Sequence, residues 1–185
     1  ASEEIQKIFG GAYVLVPQTP TRWMEPGAEE KDYNIEFVSN RPYTSKYTKA
    51  LKNLIDKYIQ ANPDIDTNRI YVGGCSNGGF MTVRMILDYP EYFAAAYPVC
   101  EGMYHAYLNN NDISKLKDQS IWFVTSATDS TLPAPDFTLP TYDILIKEGA
   151  KNVHLTYLKK VIDTSGRYQD EKGNPYEYNG HWSWI

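Results

Sequence analysis

Short apolar runs bounded by glycine, proline or polar residues recur along this chain, separated by stretches whose apolar residues fall three and four positions apart. The runs Tyr13–Val16, Arg69–Val72, Ala94–Val99, Ile121–Val124 and Val153–Leu158 are rich in β-branched and aromatic residues and predict strands. Tyr13–Val16 is continuously apolar and ended by Pro17, the pattern of a buried parallel strand. Val153–Leu158 alternates enough to predict an edge strand. Ile5, Ile8 and Phe9, followed by Gly10-Gly11, predict the end of an amphipathic helix over Ser2–Phe9. Tyr43–Gln60 places Leu51, Leu54, Ile55, Tyr58 and Ile59 on one helical face, with Thr44 or Ser45 as a cap and Pro63 as a stop. Further helices are predicted over Phe80–Leu87 and over Leu139–Lys147, the latter burying Tyr142, Leu145 and Ile146. Gln18–Asp32 reads as a turn-rich loop, Glu101–Gln119 as a polar loop with short helices, and Thr164–Asn179 as a surface hairpin. Strands alternating with helices predict an α/β fold with a mostly parallel sheet. No repeat, low-complexity tract or linker divides it, so residues 1–185 read as one domain.

Composition narrows this picture. Of 185 residues, 42% are hydrophobic, enough for a core, and no apolar stretch is long enough to cross a membrane. A net charge of −5 gives no electrostatic support for nucleic acid or an anionic membrane as partner. No signal peptide is visible, but the chain begins at Ala1, and a trimmed terminus would hide one. The expected compartment leans to secreted or periplasmic. Cys75 and Cys100 are too few for a disulfide scaffold and lack metal-ligand spacing. They read as buried small hydrophobes, with a bridge between them left open. There is no Asn-x-Ser/Thr acceptor for glycosylation. The 16 tyrosines are mostly packing residues, a minority being placed to stack on sugar or aromatic rings.

The chemistry centres on Gly74-Cys75-Ser76-Asn77-Gly78, a G-x-S-x-G between a predicted strand and a predicted helix. In that context the serine occupies the tip of a sharp turn. The flanking glycines let strand and helix approach, and the Asn77 N–H points where an oxyanion would develop. A purely structural glycine-rich turn would need no partners elsewhere, and this chain has candidates. A serine hydroxyl needs a base, and the base an orienting acid. His154 lies within a predicted strand and His105 in a polar loop; His181 follows Gly180 in a loop beyond the last strand. For the acid, Asp129 leaves the carboxyl end of the strand Ile121–Val124; Glu101 is the runner-up, and Asp136 and Asp163 are weaker. Trp182 flanks His181, and Trp23 serves either as a lid over packing or as a substrate contact.

Ile65 to Gly79, containing Arg69-Ile70-Tyr71-Val72-Gly73-Gly74-Cys75-Ser76-Asn77-Gly78, resembles the elbow of α/β-hydrolase-fold serine esterases. Polyhydroxybutyrate-depolymerase and feruloyl-esterase-like enzymes, with their prolyl-oligopeptidase-like relatives, are the nearest groups. Ser126-Ala127-Thr128-Asp129 resembles their acid loop and Gly180-His181-Trp182 their histidine loop. The resemblance implies hydrolysis of carboxylic esters through an acyl-enzyme on Ser76, with Asp129 and His181 completing the triad and no metal or organic cofactor. Small-molecule or carbohydrate esters are the implied substrates. The fold normally opens with strands and a His-Gly-type loop supplying a second oxyanion donor. Here the chain opens within what reads as the first sheet helix and stops four residues past His181. The expectation is a fragment whose missing strands come from an absent segment or a partner chain. Its alternative is a reduced hydrolase with Gln18-Thr19 as oxyanion loop. Two competing functions stand beside the esterase: a serine peptidase of short peptides, and a catalytically silent hydrolase-fold binding protein.

Overall fold

The apolar runs that follow Ile70 pair with one another side by side. The computed structural model describes residues 3–24 and 44–184. Its main sheet contains β1 (Tyr71–Cys75), β2 (Ala95–Val99), β3 (Ile121–Ser126) and β4 (Val153–Leu158), all parallel and in chain order. Parallel neighbours need a crossover. These are supplied by α3 (Asn77–Asp88), α4 (Asn110–Leu116) and α5 (Thr138–Lys147). Before them come α1 (Glu3–Phe9) and α2 (Thr48–Ala61), and after them a small antiparallel pair, β5 (Val161–Ile162) with β6 (Glu177–Tyr178).

The core lies between one face of the sheet and the crossover helices. Phe80, Met85, Ile86 and Leu87 of α3, Leu116 of α4, Ile121 and Phe123 of β3, and Leu145 of α5 are all buried. The α3 run is apolar nearly all round, which suits a helix pressed into the middle of a core. The opposite face of the sheet carries Tyr71, Tyr97, Trp122 and His154, and its aromatics are about half exposed: 45%, 53% and 54% for the tyrosines and the tryptophan. The register places Trp122 beside His154, their rings 5.5 Å apart. Parallel sheets normally bury both faces. Among the described residues this one buries only one.

Several elements depart from the sequence expectation. Tyr13–Val16 is not a strand: it pairs with no described strand and is exposed throughout. An apolar run states a side-chain preference, whereas a strand requires a partner. Here the Tyr13 hydroxyl donates to the Asp64 carboxylate and its ring meets Tyr58 edge-on at 6.0 Å, tying the segment to the end of α2 instead. The strand before the elbow begins at Tyr71 and runs to Cys75, because Thr67–Arg69 forms a 3-10 turn capped by Asp66. Helix α2 begins at Thr48, after a turn in which Ser45 accepts from the N–H groups of Tyr47 and Thr48. The buried face of α5 is Thr138, Thr141 and Leu145, with Ile146 turned to solvent. The expected edge strand, the short helices after Glu101 and the terminal hairpin are present. The predicted loop beyond Met24 and the first helical residue, Tyr43, lie outside the described residues.

Leu145 has no exposed surface and few ways to be replaced. Leu145→Ala should lower the unfolding free energy by about 2–5 kcal/mol, read as a drop in denaturant midpoint at unchanged slope.

Candidate active site

Strand β1 passes into α3 through Ser76, whose φ of 57° and ψ of −116° no ordinary side chain favours. Backbone bonds hold it there. The Ser76 N–H donates to the Val99 carbonyl at 2.9 Å, while the Ser76 carbonyl accepts from Phe80 N–H at 2.9 Å and Gly102 N–H at 3.2 Å. The turn closes only because Gly74 faces Gly78: a Cβ at 74 would lie 2.7 Å from the Gly78 backbone. The Ser76 side chain is left part-exposed, and among the described residues its hydroxyl makes no hydrogen bond. The Asn77 N–H opens α3 and has no intrahelical acceptor. The Asn77 side chain accepts from Met24 N–H at 3.3 Å, which brings the Trp23–Met24 segment over the elbow. Trp23 itself is part-buried, edge-on to Tyr47 at 5.8 Å.

Asp129 and His181 meet although 52 residues apart. His181 Nδ1 lies 3.0 Å from Asp129 Oδ2 and 3.2 Å from Oδ1. Oδ1 also accepts from the N–H groups of Thr131 and Leu132, each at 2.8 Å. The carboxylate is buried and thus fixed on both sides. An acceptor on Nδ1 selects the tautomer that leaves Nε2 free to take a proton. The histidine loop is held by one local bond and two bonds to the acid loop. Asn179 Oδ1 accepts from His181 N–H at 2.9 Å, Asn179 Nδ2 donates to Ser130 Oγ at 2.9 Å, and Gly180 N–H donates to the Thr128 carbonyl at 3.2 Å. A Cβ on Gly180 would fall 2.4 Å from the Asp129 nitrogen, so only glycine lets the two loops touch. Among the described residues no hydrogen bond joins Ser76 Oγ to His181.

Between them sits Cys100, a residue the sequence reading left among buried hydrophobes. It is buried, its φ is 37°, and its thiol donates to the His181 carbonyl at 3.4 Å while feeling the Ser76 backbone on its other side. Burial pushes that thiol up to about 12. Cys75 and Cys100 are both free thiols, so the bridge left open is not formed. Trp184 was also missed; its ring meets His181 edge-on at 5.4 Å and lies 5.2 Å from the half-exposed Trp182. The only signal for Cys100 was its place just past a strand's carboxyl end, where open α/β sheets put ligands.

The other candidates are elsewhere. His154 lies on β4 and bonds Asn152, and His105 Nδ1 pairs with Thr141 Oγ1 at 3.0 Å. Asp163 accepts from Ser165 inside the hairpin, and Asp136 is exposed. Glu101 is buried, with Oε2 accepting from Met103 N–H and Oε1 unpartnered. Burial raises its carboxyl from 4.5 to about 8 against the Met103 bond, so near neutrality it is not an anion that could orient a histidine. A concavity of about 470 Å³ lined by Glu3, Gln6, Lys7, Gly10 and Gly11 lies along α1 and includes no site residue.

The Prolyl oligopeptidase family model matches residues 47–104, from the start of α2 past the elbow. Poly(3-hydroxyalkanoate) depolymerase C of Paucimonas lemoignei is 44% identical over 100 residues, covering 50% of this chain and 21% of that protein. A thermostable esterase superposes with a TM-score of 0.58 at 26% identity, over 76% of this chain and 33% of its own. The chain has the α/β-hydrolase fold. An acylaminoacyl peptidase of Pyrococcus horikoshii shares that fold at 20% identity and a TM-score of 0.51, over 62% of this chain and 23% of its own. Within the fold the chain is serine-esterase-like, being similar to an esterase, a depolymerase and a peptidase family. It spans about a fifth of the depolymerase and a third of the esterase. Among the described residues no helix is long and apolar enough to cross a membrane.

Two outcomes follow from this geometry. Gly180→Ala should push the histidine loop off Asp129 and abolish the downfield imidazole Nδ1–H proton resonance, with the far-ultraviolet dichroism kept. For Glu101, the folded state holds its proton to about pH 8 and the unfolded state only to about 4.5. Stability is then greatest below the lower value and falls as pH rises toward the upper one, by at most about 1.4 kcal/mol per pH unit. Glu101→Gln should flatten that part of the stability profile, measured by denaturation across the window.

Proposed function

We propose that this chain is the catalytic part of a serine hydrolase of carboxylic esters. The reading is carried by one observation: the bond from His181 Nδ1 to the buried Asp129 carboxylate, at the same end of the sheet as the strained Ser76. Ser76 Oγ attacks the acyl carbon as His181 Nε2 takes its proton, with Asp129 holding the imidazole and balancing its charge. The oxyanion that forms is met by the Asn77 N–H, a donor of a kind whose removal costs about 10²–10³ in rate. His181 returns the proton to the leaving alcohol, and water then releases the acid by the reverse sequence. The missing Ser76–His181 hydrogen bond is compatible with this, because catalytic bonds often tighten only with substrate bound.

The substrate side of the proposal rests on aromatics. Half-exposed Trp182 beside His181, and Trp23 ahead of Met24 at the elbow, would serve as walls for a sugar or aromatic ester. We take the second oxyanion donor and a strand alongside β1 to come from a segment or partner outside the described residues, because β1 pairs only with β2 among them.

A serine peptidase is the second reading, favoured by the match of residues 47–104 to the Prolyl oligopeptidase family. A panel of p-nitrophenyl esters against peptide anilides separates the two. Ser76→Ala should abolish the burst of p-nitrophenol and lower turnover at least about 10³-fold, with the fold retained. Turnover that survives the substitution overturns the assignment. Failure of a fluorophosphonate to label the native protein would favour the silent binding protein.

A further inference from the structure

We infer that Cys100, Asp129 and His181 form a binding site for a thiophilic divalent cation of the zinc type, and that its occupation removes the base from the active site. The Cys100 sulfur, an Asp129 carboxylate oxygen and a His181 ring nitrogen all lie within 4.8 Å of one another. A tetrahedral zinc with bonds of about 2.0–2.3 Å holds its donors roughly 3.3–3.6 Å apart. The histidine–aspartate pair, at 3.0 and 3.2 Å, is already near that spacing. With all three donors within 4.8 Å, the sulfur has to close by no more than about 1.5 Å to reach tetrahedral spacing. It is held in place by a residue whose backbone sits in the left-handed region. Beside the same thiol lies the Ser183 hydroxyl, buried and without a well-formed hydrogen bond. One thiolate, one imidazole and one carboxylate are the donors that zinc and cobalt share, whereas magnesium and calcium take oxygen alone. Three separate loops, after β2, β3 and β6, deliver these donors, so no spacing motif announces the site.

The chemistry of occupation is a proton rearrangement. The thiol releases its proton to solvent and gives the metal a thiolate. The neutral imidazole keeps its proton but moves it from Nδ1 to Nε2, offering the Nδ1 lone pair to the metal. An Nε2 that already carries hydrogen cannot accept the Ser76 proton. Binding itself does not depend on Ser76 being a nucleophile; the inhibition rests on the hydrolase reading.

Cobalt(II) titrated into the full chain tests this. The expected result is saturable binding with a near-ultraviolet thiolate-to-cobalt band and the visible bands of tetrahedral cobalt, displaced by zinc. Cys100→Ser should lose the ultraviolet band and weaken binding at least about tenfold, while Cys75→Ser and Ser76→Ala keep both. His181→Gln, on the part-exposed loop, should give the same loss of affinity without disturbing the buried sulfur. In the native protein zinc should inhibit ester turnover at the concentration at which it displaces cobalt, and magnesium should not. No saturable binding, or an unchanged spectrum in Cys100→Ser, overturns the site. Binding with undiminished turnover overturns the inhibition. A native protein with no ester turnover at all fails the hydrolase reading and leaves the spectrum to decide the site.

Discussion

The backbone of Ser76 is held where a side chain resists going, and the carboxyl end of the sheet is arranged around keeping it there. The strain, of order 1–3 kcal/mol for such a residue, persists because three backbone bonds from β2, α3 and Gly102 over-determine the turn. Those bonds require β1, α3 and the start of the Glu101 loop to crowd one another at van der Waals distance. Gly74 and Gly79 make these approaches possible: a Cβ on the first would lie 2.7 Å from the Gly78 backbone, and on the second 2.7 Å from the Glu101 backbone. The turn in turn sets where α3 begins, and α3 carries Phe80, Met85, Ile86 and Leu87 into the centre of the core. One contorted residue and the best-packed helix are therefore the same piece of structure seen from two ends.

The same crowding decides the electrostatics. Cys100 and Glu101 follow β2 directly under the elbow, and both are sealed from water, which disfavours charge on either. Asp129 is equally buried but keeps two backbone N–H donors and an imidazole around its oxygens. Two buried carboxyl groups thus have different surroundings: Asp129 is met by two backbone N–H groups and an imidazole, Glu101 by the Met103 N–H alone, with burial holding its proton on. That division singles out Asp129 as the partner of His181 more firmly than loop position could.

Sequence pattern carried much of this and missed the rest for identifiable reasons. Strands β2 to β4 were legible as short apolar runs, helices α3 and α5 from the period of their apolar residues, and the terminal hairpin from Gly166, Gly173 and Pro175. The Ser76, Asp129 and His181 positions were legible because each follows a strand in a recognisable order. Tyr13–Val16 misled because apolar character says nothing about whether a neighbour is present to pair with. Ile146 misled because Thr138 and Thr141 took the buried side of α5, and a threonine hydroxyl can turn back on its own helix, as Thr141 does to Phe137. Cys100 was out of reach, since its importance comes from loops converging in space.

The bare face of the sheet has its own consequence for motion. Among the described residues strand β1 has a paired neighbour on one side only, and Tyr71 and Gly73 are open to water. Amides there trade hydrogen with solvent through small, local openings, whereas those of β2 and β3, bonded on both flanks, wait for deeper ones. Ser76 is thus mounted at the end of a strand that, among the described residues, is one of the sheet's outermost and most readily breathing. What steadiness it has comes from the helix behind it, so agents that loosen α3 will blur the serine's position well before they unravel the sheet.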